Sequence, residues 1–146
     1  MMLVALLVPA AAAGAPTAQE QPAKVDPSIT DGSAQRALDA ARERWRAAAV
    51  RSYSVGVRRS CFCPQTKVVR VVVRGGVLAR STPEDVRAFA TVPRQFALVQ
   101  KAIDGRYAAL SARYGSRGNP VAINLDPVAM VADEETYYTF SGLRPR

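Results

Sequence analysis

Apolar residues recur at helical spacing between Ser33 and about Val50, with charged residues between them. Such a stripe predicts an amphipathic helix that packs one face against a core, and Ser33 or Asp31 can cap its start. Trp45 falls on this stripe, so we expect it to anchor the helix to the core. The stripe consists of Ala34, Leu38, Ala41, Trp45, Ala48 and Ala49.

The pattern then changes to a period of two, which is typical of strands with one buried face. Tyr53, Val55 and Val57 alternate with polar or small residues. A Val-rich run at residues 67–74 repeats the alternation, and Gly75 and Gly76 supply a hairpin turn into residues 77–79. Together these segments predict a three-stranded meander.

A second cycle of the same order follows. A short helical turn is predicted to start at residues 82–85. A clearer amphipathic helix is predicted to follow Thr91-Val92-Pro93, with Gly105 just past its end. Further strands are predicted at residues 108–114, 121–125 and 136–143. Because no parallel crossover pattern occurs, we expect an α+β fold. It is one antiparallel sheet of about six strands in helix-βββ-helix-βββ order, with the helices packed on one face.

The chain begins with an apolar run at residues 2–13 that is too short to span a bilayer and ends in small residues. This pattern predicts a signal peptide at residues 1–13. Residues 14–32 are polar and lack periodicity, which predicts a flexible linker before a single domain at residues 33–146. We therefore expect a secreted, periplasmic or cell-envelope protein with no transmembrane helix after leader removal.

The charge balance excludes several classes of activity. The sequence has 20 Lys and Arg against 12 Asp and Glu, a net charge of +8, and no histidine. Without histidine, Ser-His-Asp and Cys-His nucleophiles are ruled out, and the commonest zinc ligand is missing. The arginines are scattered along the chain and give no specific nucleic-acid signal. We expect no enzyme activity and no cofactor.

The two cysteines, Cys61 and Cys63, are separated by one residue. A local disulfide is feasible if the chain bends, and Pro64 favours a bend. The pair can instead be a redox-active or intermolecular thiol pair, because strained short-range disulfides are more easily reduced than unstrained ones. A metal site is the third interpretation, although zinc would need further ligands. An exported location favours the disulfide.

A cluster of acidic residues in this basic chain consists of Asp133, Glu134 and Glu135. They lack the alternating oxygen ligands of a Ca²⁺ loop. We therefore interpret them as a polar turn or a possible binding site, and we expect no metal.

Several of these features together resemble domain-of-unknown-function family 6174, over residues 34–143. The resemblance implies a small exported bacterial protein or lipoprotein, and it implies no activity. The chain departs from the lipoprotein members because it lacks the lipidation cysteine, and it has Asn119 where an aromatic residue is common. The features are Trp45, Ser52-Tyr53-Ser54, Cys61-Phe62-Cys63-Pro64, Gly75-Gly76, Tyr114, Gly118-Asn119-Pro120 and Asp133-Glu134-Glu135.

The sequence thus favours a secreted, non-enzymatic domain with a binding or cell-envelope role, whose partner is an unidentified protein or envelope component. One alternative is an envelope thiol-disulfide protein that uses Cys61 and Cys63. The other is an inhibitor-like module that binds a protein with its sheet face, an interpretation by architectural analogy.

Overall fold

The computed structural model describes residues 23–61, 67–131 and 133–146. Four helices lie in this part of the chain: α1 Pro27–Thr30, α2 Ser33–Ala48, α3 Glu84–Arg87 and α4 Val92–Asp104. Six strands accompany them: β1 Tyr53–Cys61, β2 Val69–Arg74, β3 Val77–Leu78, β4 Ala109–Tyr114, β5 Pro120–Asp126 and β6 Thr136–Pro145. The predicted signal peptide, residues 1–13, lies outside the described residues.

The six strands form one sheet in the order β3-β2-β1-β6-β5-β4, and every neighbouring pair is antiparallel. The predicted α+β class with a six-stranded antiparallel sheet is therefore confirmed. Each half of the chain forms a meander of three strands. The two meanders join at the centre of the sheet, where β1 pairs with β6.

One face of this sheet carries the core. Alternate residues of β1, β2, β5 and β6 are buried there beneath α2, α3 and α4. Tyr53 ties these layers together, because its ring packs edge-on against Trp45 at 5.5 Å and its hydroxyl accepts a 3.0 Å hydrogen bond from the Val92 N–H. Val92 is the first residue of α4. The first strand therefore satisfies one of the unpaired N–H groups at a helix start.

The starts of the two long helices differ from each other. Thr91 caps α4, with its hydroxyl accepting a hydrogen bond from the Arg94 N–H, so this helix begins at Val92, two residues earlier than predicted. At α2 the capping position is Gly32, which has no side chain to offer. Asp31 nevertheless accepts a 2.7 Å hydrogen bond from the Ser33 N–H. Of the two predicted caps, Asp31 therefore supplies the bond, from one position earlier than a standard cap.

The predicted linker at residues 14–32 is described from residue 23 onward, and this part differs from a flexible tether. Pro27–Thr30 form the short helix α1, whose first turn is capped by Asp26. The Asp26 carboxylate also accepts a 2.8 Å hydrogen bond from the Leu110 N–H, and the Asp26 N–H donates to the Tyr107 carbonyl oxygen. These two hydrogen bonds join residues that are more than 80 positions apart, so no local sequence pattern indicates them. They hold the segment against the start of β4.

The turn between β4 and β5 packs directly on α2 through Gly118. This residue has φ +86°, and a Cβ atom there would lie 2.0 Å from the Ala41 carbonyl oxygen. Glycine is required on both counts, because an L side chain disfavours this φ and no room exists for it.

We predict that Gly118→Ala lowers the free energy of unfolding by about 2–4 kcal/mol, from about 1 kcal/mol of backbone strain and the rest from the clash. Gly76→Ala is the matched control, because Gly76 has φ +84° but a Cβ atom added there would have nothing within 4 Å. Urea denaturation followed by Trp45 fluorescence measures both variants. Equal losses in the two would show that Gly118 does not depend on its contact with α2.

Candidate binding surface

The face of the sheet opposite the helices is covered by no helix of the described chain; we call it the open face. The strand register identifies its residues, because Val57 and Phe140 are paired in the core and their neighbours point the other way. Across the middle of this face, Arg113 lies opposite Ala122, Ala122 opposite Thr139, and Thr139 opposite Arg58.

The floor of the open face is made of small side chains. Gly56 lies opposite Ser141, and a Cβ atom at Gly56 would come 2.8 Å from the Ser141 hydroxyl oxygen. Ser54, Ala122 and Thr139 continue this floor on the neighbouring positions. Because these side chains are short, the centre of the open face is recessed, and longer side chains project from the positions around it.

Most of those longer side chains are arginines. Arg70 reaches from β2 across β1, and its guanidinium donates to the Gly142 carbonyl oxygen on β6 at 3.1 Å. Arg113 and Arg144 are exposed, whereas Arg58 is half-buried near the centre. The open-face arginines are Arg58, Arg70, Arg74, Arg113 and Arg144.

The acidic groups of this face lie at one end of it, where β5 ends and β6 begins. Tyr137 is 43% exposed and its hydroxyl donates to the Glu135 carboxylate. This hydrogen bond and the negative charges of Glu135 and Asp126 raise the Tyr137 pKa. Asp133 and Glu134 are exposed in the preceding turn. The predicted acidic turn thus borders one end of the open face, while the arginines surround the floor and extend to the other end.

The open face is of modest size. Six strands spaced about 4.8 Å apart give a width of about 24 Å, and six or seven residues give a length of roughly 20 Å. Its area is therefore on the order of 500 Å², below the roughly 800 Å² that each partner contributes to a stable interface. A partner that covers only this face would bind transiently.

Cys61 is half-buried at the last position of β1, opposite Thr136 of β6. Cys63 belongs to residues 62–66, which the structure does not describe. The bridge between the two cysteines therefore stays a prediction. A covalent link at this point would restrain the chain where it leaves the central strand.

Trp45 is partly buried and lies on the core side of α2, against Tyr53. It contacts the core, but its ring is not fully enclosed. Within the described ranges, no three Cys, Asp or Glu side chains come together as metal ligands, and no helix is long and apolar enough to cross a membrane.

No local pattern marks the open-face arginines as a group, because they are up to 86 positions apart in the sequence. The alternation within each strand places them on the polar side, but only the strand order brings Arg58 of β1 beside Thr139 of β6. The alternation of inward and outward residues, applied to all six strands at once, is the sequence signal that identifies this group.

The model of a family of unknown function, DUF6174, matches residues 37–145, from α2 to the end of β6. No curated protein and no solved structure matches the chain.

We predict that the double variant Cys61→Ser/Cys63→Ser still folds, with a loss in unfolding free energy below about 2 kcal/mol. A bridge that closes so small a loop removes little entropy from the unfolded chain. Chemical denaturation measures the loss, and thiol titration of the unfolded, unreduced wild type establishes whether the bridge is present. A much larger loss in the double variant would show that the bridge holds the sheet together.

Proposed function

Because the chain belongs to DUF6174, a family of unknown function, its role has to be inferred from its surface, and we propose that it is a secreted, non-enzymatic binding module. The open face docks an acidic surface of a partner protein in the cell envelope. The observation that carries this proposal is the group of five arginines on a sheet face that no described helix covers.

The chemistry of the open face supports a protein partner. Guanidinium groups bind carboxylates through two parallel hydrogen bonds, and arginine and tyrosine are enriched at protein interfaces. Arg70, Arg113 and Arg144 are exposed beside a floor of small side chains, so carboxylates of a partner can approach them. The acidic groups of Asp126 and Glu135 at one end would orient such a partner through repulsion.

The absence of histidine from the sequence supports a non-enzymatic role, because the commonest general base is missing. The apolar run at residues 2–13 supports export. The modest area of the open face supports a transient complex whose affinity depends strongly on salt.

We predict that the exported protein begins near Gly14, because the small residues before it suit cleavage. Mass spectrometry of the protein recovered from the envelope or medium of its native host measures the start. An intact chain beginning at Met1 and recovered from the cytoplasm would contradict export.

We predict that the triple variant Arg70→Glu/Arg113→Glu/Arg144→Glu binds an acidic probe at least tenfold more weakly than the wild type. Poly-L-glutamate is the probe, and its affinity is measured by fluorescence titration at low and at physiological salt. The loss arises because three attractive charges on the open face become repulsive. The wild-type affinity should fall as salt rises, since exposed charges are screened.

The matched control is Arg94→Glu/Arg106→Glu/Arg117→Glu, which changes three exposed arginines and alters the net charge by the same amount. If binding depends on the open face, this control keeps the affinity within about threefold. An equal loss in both triple variants would mean that the probe senses only net charge, and the proposal would fail. Circular dichroism of each variant checks that the fold is retained.

A further inference from the structure

The strand β4 ends the sheet on one side, and a groove of about 330 Å³ runs between it and the first half of α2. Ala34 and Ala37 of α2 form one wall, Leu110 and Ala112 of β4 form the other, and Val99 of α4 lies between them. The groove is therefore mostly apolar, with small side chains on the helix side. It opens at the sheet edge, on a different surface from the open face.

The exposed edge of β4 offers main-chain hydrogen-bonding groups to this groove. The Leu110 N–H donates to Asp26 and hence points away from β5. Ala112 lies two residues further on the strand, so its N–H and carbonyl point the same way. Among the described residues, neither group makes a hydrogen bond outside the sheet. Unpaired edge groups of this kind are a template for another strand.

Two positive charges mark the Tyr114 end of the groove. Burial raises the pKa of Tyr114 to about 12, although the positive charges of Arg42 and Arg44 favour the ionised hydroxyl and lower this pKa. Both guanidinium groups therefore lie near Tyr114. Arg42 is paired with Asp39, whereas Arg44 is exposed and forms no ion pair within the described chain. At the other end, the Asp26 carboxylate is already occupied by Ser28 and Leu110.

We propose that β4 binds an extended acidic peptide segment of a partner protein by strand addition. The segment lies in the groove between β4 and α2 and exchanges hydrogen bonds with the main chain of Ala112. A small aliphatic side chain of the segment fills the space beside Ala37, and a carboxylate of the segment lies near Arg44. Main-chain hydrogen bonds supply affinity in this mode of recognition, while the groove and the charge supply specificity.

Charge complementarity favours this occupant over a second copy of the chain. Two copies that paired through β4 would bring together two chains that each carry a net charge of +8 and therefore repel one another. An acidic segment neutralises Arg44 instead. An extended segment, rather than a folded surface, is required because only a single strand fits between an edge strand and a helix.

The probes for the test are two synthetic hexapeptides, acetyl-Thr-Val-Ala-Val-Asp-Glu and acetyl-Glu-Asp-Val-Ala-Val-Thr. They place the acidic end near Arg44 in the parallel and the antiparallel orientation respectively. Nuclear magnetic resonance of the ¹⁵N-labelled exported protein follows the binding of each. We expect one of them to shift the amide signals of Leu110 and Ala112 and to slow hydrogen exchange at the Ala112 N–H. The same peptide with N-methylated alternate residues should not bind.

Substitutions separate the groove from the rest of the surface. Ala37→Trp fills the groove and Arg44→Glu reverses its charge, so each should weaken binding at least tenfold. Their matched controls on the exposed outer side of α2, Ala47→Trp and Arg46→Glu, should leave the affinity within about twofold. Ala112→Pro removes only an N–H that points away from the sheet, and edge strands tolerate proline at such positions. It should also weaken binding, because this N–H donates to the bound segment.

Four results would overturn the proposal. The first is no binding of either peptide at millimolar concentration, and the second is binding that survives Ala37→Trp. The third is a wild-type dimer that Ala37→Trp dissociates, which would assign the groove to a second copy. The fourth is a set of contacts between residues 14–22 and Ala112 in the free protein, which would assign it to the chain's own segment. Because the open-face arginines are unchanged in these variants, poly-L-glutamate binding reports on the proposed function independently.

Discussion

The antiparallel pairing of β1 with β6 at the centre of the sheet is the constraint on which the rest of the structure depends. Its register runs from Tyr53 opposite Pro145 to Cys61 opposite Thr136, with one shift between Ser54 and Gly56. Each meander alone is only three strands wide, and one of them ends in the two-residue β3. Joined at this pair, they form one face broad enough to bury the apolar sides of both α2 and α4.

The elements of this fold could be predicted because each has a local signal. Gly75 and Gly76 have φ +55° and +84°, as a tight hairpin requires, and Gly105 directly follows the last residue of α4, as its sequence indicates. Tyr138 and Phe140 are two positions apart in the strand predicted at residues 136–143, and both are buried. These features depend on spacings of a few residues, which a single sequence displays directly.

The strand order and the candidate binding surface had no such signal. The pairing of Val57 with Phe140 joins residues that are 83 positions apart, and nothing near either residue specifies its partner. The open face could not be predicted for the same reason, because Arg58 and Arg113 belong to one surface only when the strands are paired in this order. Asp26 is a third example. Its hydrogen bond to the Leu110 N–H spans 84 positions, so residues that look like linker belong to the folded domain.

That hydrogen bond also bears on how much of the sheet edge is left for another chain to pair with. A long exposed edge strand can recruit further chains until a fibril grows. Asp26 occupies the first outward N–H of β4, which leaves a short unpaired stretch around Ala112, and α2 overhangs that stretch. At the opposite edge, β3 is only two residues long. On the β4 side, the free backbone is therefore too short for a fibril to grow, although it can still pair with one short segment around Ala112.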